Sequence, residues 1–193
     1  MNFTSAVLIC NPGILFFSTN HTPVKDIGGI LKKNGYREID LATAKDLKYV
    51  NAMHRFEDRS EALDSGVLLV PVIVDAVSGF CVIDTGSVST IVNRSRMDKN
   101  FWDIKSYSHY HFRDAKGNER RVQTINLDTF VVGGIDLGKN VEVGFLEMQG
   151  KQYINPKNEK VPLWGVIGSD FLHSYNAIID FGNRKLYLQE IGH

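Results

Sequence analysis

The chain has 193 residues, of which 43% are apolar and 23% charged, the make-up of one globular domain large enough to bury a substantial core. Lys and Arg together number 22, as do Asp and Glu, so no net field draws the chain to nucleic acid or to an anionic membrane. The two cysteines, Cys10 and Cys81, are too few for a disulfide framework, and no run approaches the ~20 apolar residues that span a bilayer.

Ala6 to Cys10 and Gly13 to Phe17 are apolar, but Asn11-Pro12 splits them and no Lys or Arg precedes them. A signal peptide wants a basic start and an unbroken apolar core of roughly 7 to 15 residues, so the expected compartment is the cytoplasm, with an exported form as the alternative. Residues 1–35 hold Pro12, Pro23 and Gly28-Gly29 without sustained periodicity, which predicts a loosely ordered lead-in with a short helix near Ile27 to Lys33. Residues 36–65 read as a strand plus an amphipathic helix packed on the body. Tyr36 to Leu41 alternates; Thr43 with Asp46 resembles a capping box; Leu47, Val50, Met53 and Phe56 follow at near-helical spacing towards Ser65-Gly66.

From residue 66 to 193 the texture is β-rich and punctuated by glycine. Val67 to Val77 is strand-like, Ser78-Gly79 is the expected turn, and Phe80 to Ile83 and Val88 to Val92 are further strands. Ile104 to Arg113 and Glu119 to Val132 flank a polar turn and predict a long hairpin. Gln149 to Pro162 reads as a loop and Ser169 to Tyr175 as a short helix. Ala177 to Phe181 and Lys185 to Gln189 predict a last hairpin around Gly182-Asn183. Many short strands with regular turns indicate a barrel or sandwich.

One carboxylate stands out. Asp84 interrupts the apolar run Phe80-Cys81-Val82-Ile83 and is followed by Thr85-Gly86-Ser87, after which β-branched residues resume. Burying an ionised carboxylate is costly, so a chain that carries one between two buried strands either pairs it or uses it. Gly86 frees the backbone and leaves an N–H to point at the acid. Thr85 adds a hydroxyl to hold the loop, and Ser87 one expected to donate to Asp84 and lower its pKa. Cys81, inside the same run, reads as a small buried thiol.

A second signature is Val166-Ile167-Gly168 before Ser169-Asp170-Phe171-Leu172, followed by Tyr175-Asn176-Ala177-Ile178-Ile179-Asp180 and a Gly-Asn turn. Together with Val82-Ile83-Asp84-Thr85-Gly86-Ser87, it resembles the retropepsin-like aspartic proteases over roughly residues 66 to 190. The resemblance implies a mainly β chain: a small closed β-barrel of the retropepsin-like acid protease type, with one short C-terminal helix, to which the helical segment near the N-terminus is added. It also implies peptide-bond hydrolysis with no metal or cofactor, on a peptide or protein substrate. Asp84 would be catalytic, supported by Thr85, Gly86 and Ser87, and a flap tip at Asp114, Ala115, Lys116, Gly117 and Asn118 would close on substrate. The family's tip is usually rich in glycine, and this one is charged. A single Asp-Thr-Gly is half of an aspartic dyad, so a working enzyme would be a homodimer. The alternative is an inactive barrel that binds peptide or serves assembly.

Other polar residues read as structural. Asp170 is expected to cap the helix it begins and Asp180 to hold its turn. His109 and His111 share one face of a predicted strand; with no Cys or further His nearby, a solvated face is preferred to a metal site. Gly86-Ser87 lacks the frame of a serine nucleophile elbow.

Overall fold

A computed structural model describes residues 7–11, 14–18, 27–43, 48–50, 67–96, 109–113, 119–146, 152–154 and 160–189. It is mainly β, with a larger sheet that curls into a half-barrel and few helices. In chain order the elements begin with β1 (Val7–Asn11), β2 (Ile14–Ser18), α1 (Ile27–Lys33), β3 (Tyr36–Asp40), β4 (Ala42–Thr43) and β5 (Lys48–Val50). Then come β6 (Leu68–Val74), β7 (Val77–Ile83), β8 (Ile91–Asn93), β9 (His109–Arg113), β10 (Glu119–Leu127), β11 (Phe130–Val132), β12 (Ile135–Asp136) and β13 (Val141–Leu146). The chain closes with β14 (Gln152–Ile154), β15 (Lys160–Ile167), α2 (Ser169–Ser174), β16 (Ile178–Asp180) and β17 (Lys185–Gln189).

The larger sheet runs β12-β11-β6-β7-β15-β8-β13-β10-β9 among the described residues, with β4, β5 and β14 attached beside it. The smaller runs β2-β1-β16-β17-β3. Alternation along β6 explains the core: Leu68, Val70, Val72 and Val74 point in, while Pro71 and Ile73 face out. The inward side chains join Ile125, Leu127, Phe130, Ile167, Leu172, Ile179 and Leu188 in one cluster. Each fully buried aliphatic or aromatic side chain there contributes about 1.5–3 kcal/mol of transfer free energy. Among the described residues no helix is long and apolar enough to cross a membrane.

The short helix at Ile27–Lys33, the strand at Tyr36–Asp40 and the closing hairpin of β16 with β17 stand where the sequence places them. β9 pairs with β10 as a hairpin, but its second arm, expected to run from Glu119 to Val132, ends at Leu127, and Phe130–Val132 is a separate strand paired with β6. Four further expectations do not hold. The lead-in of residues 1–35 is not loosely ordered where described, because β1 and β2 form an antiparallel hairpin and β1 pairs with β16. That partner lies far away in sequence, and local periodicity does not report it.

The helix expected from Thr43 is replaced at Lys48–Val50 by a strand that pairs with β14, Tyr49 opposite Tyr153. An aromatic and a β-branched residue, Tyr49 and Val50, with a pairing partner outweigh a weak helical spacing; residues 44–47 and 51–66 lie outside the described set. The turn expected at Ser78-Gly79 lies instead at Asp75-Ala76, both at positive φ (45° and 69°). Asp75 is held there because its carboxylate accepts from the backbone N–H groups of Asp128 and Thr129, both at 3.1 Å. Gly79 stays within β7, where a Cβ would lie 2.5 Å from the Pro162 carbonyl oxygen. Finally, the expected loop at 149–162 contributes β14 and the start of β15.

Candidate active site

The Asp84 turn is built by an insertion of strands. β7 and β8, which the turn joins, do not pair with each other; β15 lies between them. It runs parallel to β7, with Ile167 opposite Ile83, and antiparallel to β8, with Val166 opposite Ile91. The apolar flanks of Asp84 therefore serve as central strands, and residues 84–90 must bridge the end of β15. That is why residues 88–90, expected as strand, are loop, and β8 is confined to Ile91–Asn93.

Two glycines make room for this. A Cβ on Gly165 would lie 1.9 Å from the Ile91 carbonyl oxygen, and one on Gly168 would lie 2.4 Å from the Ser89 carbonyl carbon. Real Cβ atoms do not approach backbone so closely, so both positions exclude side chains.

Asp84, Thr85, Gly86 and Ser87 are brought together in one tight turn. The Asp84 N–H donates to the Ile167 carbonyl at 3.1 Å, which continues the β7–β15 ladder by one residue. The Ser87 N–H donates back to the Asp84 carbonyl at 3.1 Å, closing the turn. The Gly86 N–H donates to Asp84 Oδ1 at 2.9 Å, as expected from the sequence. A Cβ on Gly86 would sit 3.2 Å from Oδ1, a tight contact that the carboxylate would have to relieve by shifting a few tenths of an ångström; Gly86 is not among the residues of positive φ. Asp84, Thr85 and Gly86 are all exposed, and Val88 beside them is 75% exposed.

Ser87 corrects the expectation. Its hydroxyl donates to the Ser89 carbonyl at 2.8 Å, not to the Asp84 carboxylate. The geometry favours the rigid loop backbone two residues on, a local side-chain bond typical of serine in turns.

The segment after the turn is strapped to the start of α2. The Ser169 N–H donates to the Ser87 carbonyl at 2.7 Å, and the Asp170 N–H to the Val88 carbonyl at 3.1 Å. Asp170 does not cap the helix; the cap residue is Gly168, with no side-chain cap bond. Instead its carboxylate accepts from the Thr90 N–H at 2.9 and 2.8 Å and from the Thr90 hydroxyl at 2.7 Å. That hydroxyl in turn accepts from the Gly168 N–H at 3.0 Å. The role of Thr90 had no signal in the sequence, because its partner lies 80 residues away.

Asp180 is buried and accepts from the Asn183 N–H at 2.9 Å and side-chain amide at 2.7 Å, the turn-holding role expected of it. Cys81 is a buried free thiol whose pKa burial pushes far up, so it is no nucleophile. The flap residues Asp114, Ala115, Lys116, Gly117 and Asn118 lie outside the described residues, as do the side chains of His109 and His111; the stems β9 and β10 pair from Arg113–Glu119 to His109–Gln123. A shallow apolar cleft of about 340 Å³, lined by Pro71, Ile73, Phe80 and Val131 among others, sits towards the start of β7, away from Asp84. Compared with protein-family models and with curated proteins, the chain matches none.

Proposed function

We propose that this chain is an aspartic endopeptidase of the retropepsin-like type, active as a homodimer in which Asp84 of each copy faces the other across a two-fold axis. The observation that carries the reading is the Asp84 turn itself: an exposed carboxylate fixed at the end of a central strand, with a backbone N–H 2.9 Å from one oxygen. An exposed Asp84-Thr85-Gly86 edge leaves a face for the second copy. A half-barrel sheet is compatible with the closed barrel that the resemblance implies.

Two carboxylates a few ångströms apart cannot both ionise, so the pair shares one proton. The ionised carboxylate takes a proton from a water, which attacks the scissile carbonyl carbon. The neutral carboxylate donates to the carbonyl oxygen as charge develops there. The carboxyl that took the water's proton then gives it to the amide nitrogen, a hydroxyl of the tetrahedral carbon returns its proton to the other carboxylate, and the C–N bond breaks to release acid and amine, leaving one proton on the dyad. The β9–β10 hairpin is the element proposed to close over the peptide.

The test is cleavage of a peptide library between pH 3.5 and 7 by wild type and Asp84→Asn. The variant should lose all measurable activity while keeping its fold and dimer, because Asn preserves volume but cannot share the proton. Residual cleavage within about tenfold of wild type would place the chemistry elsewhere, since loss of an acid–base group costs about 10²–10⁴-fold. A stable dimer that cuts no peptide would favour the alternative, a barrel that binds peptide or serves assembly.

A further inference from the structure

Asp170 makes hydrogen bonds that a helix-starting aspartate does not need. Both its oxygens face Thr90, one taking the N–H at 2.9 Å and the hydroxyl at 2.7 Å, the other taking the N–H at 2.8 Å. Within α2 its carboxylate takes only the Phe171 N–H, at 2.6 Å. The Thr90 hydroxyl closes a ring by accepting from Gly168, two residues before Asp170. Thr90 is buried, with 4% of its surface exposed. Two donors of this buried residue therefore meet one carboxylate, on the exposed Asp170, and its loss would take both partners away at once.

We propose that Asp170 is a positioning residue for Asp84, acting through Thr90 to hold the strap between the Asp84 turn and β8 against the start of α2. The inference rests on the peptidase reading above. The Asp84 turn and the strap after it are tied to the same segment at further points: Asp84 N–H to Ile167, Ser169 N–H to Ser87, and the Asp170 N–H and Ser169 hydroxyl to the Val88 carbonyl. Releasing Thr90 loosens the far end of that strap, while the β7–β15 ladder keeps the near end in register. The turn then stays folded but no longer presents its carboxylate at a fixed distance from the partner copy's Asp84. Misplacement of a reacting group by about 1 Å costs about 10²-fold in rate, so the loss falls on kcat. The donors meeting Asp170 are neutral, so its role is to accept hydrogen bonds and an isosteric amide restores part of it.

The experiment measures kcat and KM for wild type, Asp170→Ala, Asp170→Asn, Thr90→Val and Asp170→Ala/Thr90→Val as dimers, with amide hydrogen exchange at Ser87 and Thr90. Asp170→Ala should lower kcat about 100-fold with KM within about threefold, and Asp170→Asn should recover to within about tenfold of wild type. Thr90→Val should match Asp170→Ala, and the double variant should be no worse than either, because the two act as one unit. Exchange at Ser87 and Thr90 should quicken in Asp170→Ala while β7 and β15 stay protected. If Asp170→Ala does not fold, Thr90→Val carries the same expectation. A kcat within about threefold of wild type in Asp170→Ala, or losses that multiply in the double variant, would overturn the proposal. If wild type cuts no peptide, the peptidase reading falls by itself, and unchanged exchange at Ser87 and Thr90 would then overturn the role of Asp170.

Discussion

Gly165 passes so close to Ile91 that a Cβ on it would lie 1.9 Å from the Ile91 carbonyl oxygen. The contact marks where β15 is squeezed between the two strands that carry the Asp84 turn, with Gly165 opposite Val92 on one side and Cys81 on the other. Close approach and a backbone φ of 156°, which residues with side chains rarely adopt, both demand glycine here.

Gly165→Ala should therefore destabilise the fold by about 3 kcal/mol or more, the upper range for over-packing, because the obstacle is backbone that cannot rotate away. Gly168→Ala should act in the same direction through Ser89. Urea denaturation monitored by tryptophan fluorescence reads this directly, since Trp164 is buried beside the site with its indole N–H on the Val77 carbonyl. An unmoved midpoint for Gly165→Ala would contradict the packing described.

Ser87→Ala should leave the upper limb of the pH–rate profile where it is. The Ser87 hydroxyl has one proton and gives it to the Ser89 carbonyl at 2.8 Å, so it does not stabilise charged Asp84. The expected cost is stability alone, about 0.5–1.5 kcal/mol for one hydrogen bond. A limb displaced to higher pH would show that the hydroxyl turns to the carboxylate in the working dimer.

Dilution should lower specific activity, because each chain supplies half of the catalytic pair. An equal mixture of wild type and Asp84→Asn, allowed to exchange subunits, should leave about a quarter of all dimers as wild-type homodimers, roughly half the number put in, and activity should fall about twofold on exchange. Sedimentation at the assay concentrations checks the first statement. A monomer with full activity would rule out the shared site.

Acid stability should depend on Lys185. Its Nζ lies 3.3 Å from Glu38 Oε1 and is also paired with Asp40 across the β17–β3 edge. The hydrogen bond and charge of Lys185 hold Asp40 below its ordinary pKa. Burial raises that of Glu38, but its bonds to Lys32 and Lys185 outweigh this and the net shift is down. Lys185 itself is raised, first by its bond to Asp40. Depressed carboxylates contribute stability that is present above their ordinary values, 4.5 for Glu38 and 3.8 for Asp40, and lost as pH falls through the folded values. The raised lysine contributes below its ordinary 10.5 and loses that contribution above it. Lys185→Met should thus melt slightly lower than wild type at pH 7, modestly because Asp40 is 87% exposed, with the difference closing below about pH 3. Thermal melts across pH test this; an equal difference at pH 2.5 and pH 7 would contradict it.

The Asp84 turn was legible in the chain because the residues that mark it are local. Apolar residues before and after an Asp-Thr-Gly-Ser run place a carboxylate between two strands, and the Gly86 N–H reaches it from two residues away. The short helix at Ile27–Lys33 and the closing hairpin were legible for the same reason, since periodicity and turn residues act over a few positions. Tertiary structure decided what depends on distant pairing. The place of β15 between β7 and β8, the β1 strand on β16, and the strand at Lys48–Val50 in place of a helix each needed a partner remote in sequence. The Ser87 hydroxyl turned to Ser89 and the Asp170 carboxylate to Thr90 because β15 and α2 fix where those acceptors and donors stand. A hydroxyl or a carboxylate announces that it will bond; only the packed backbone selects the group it meets.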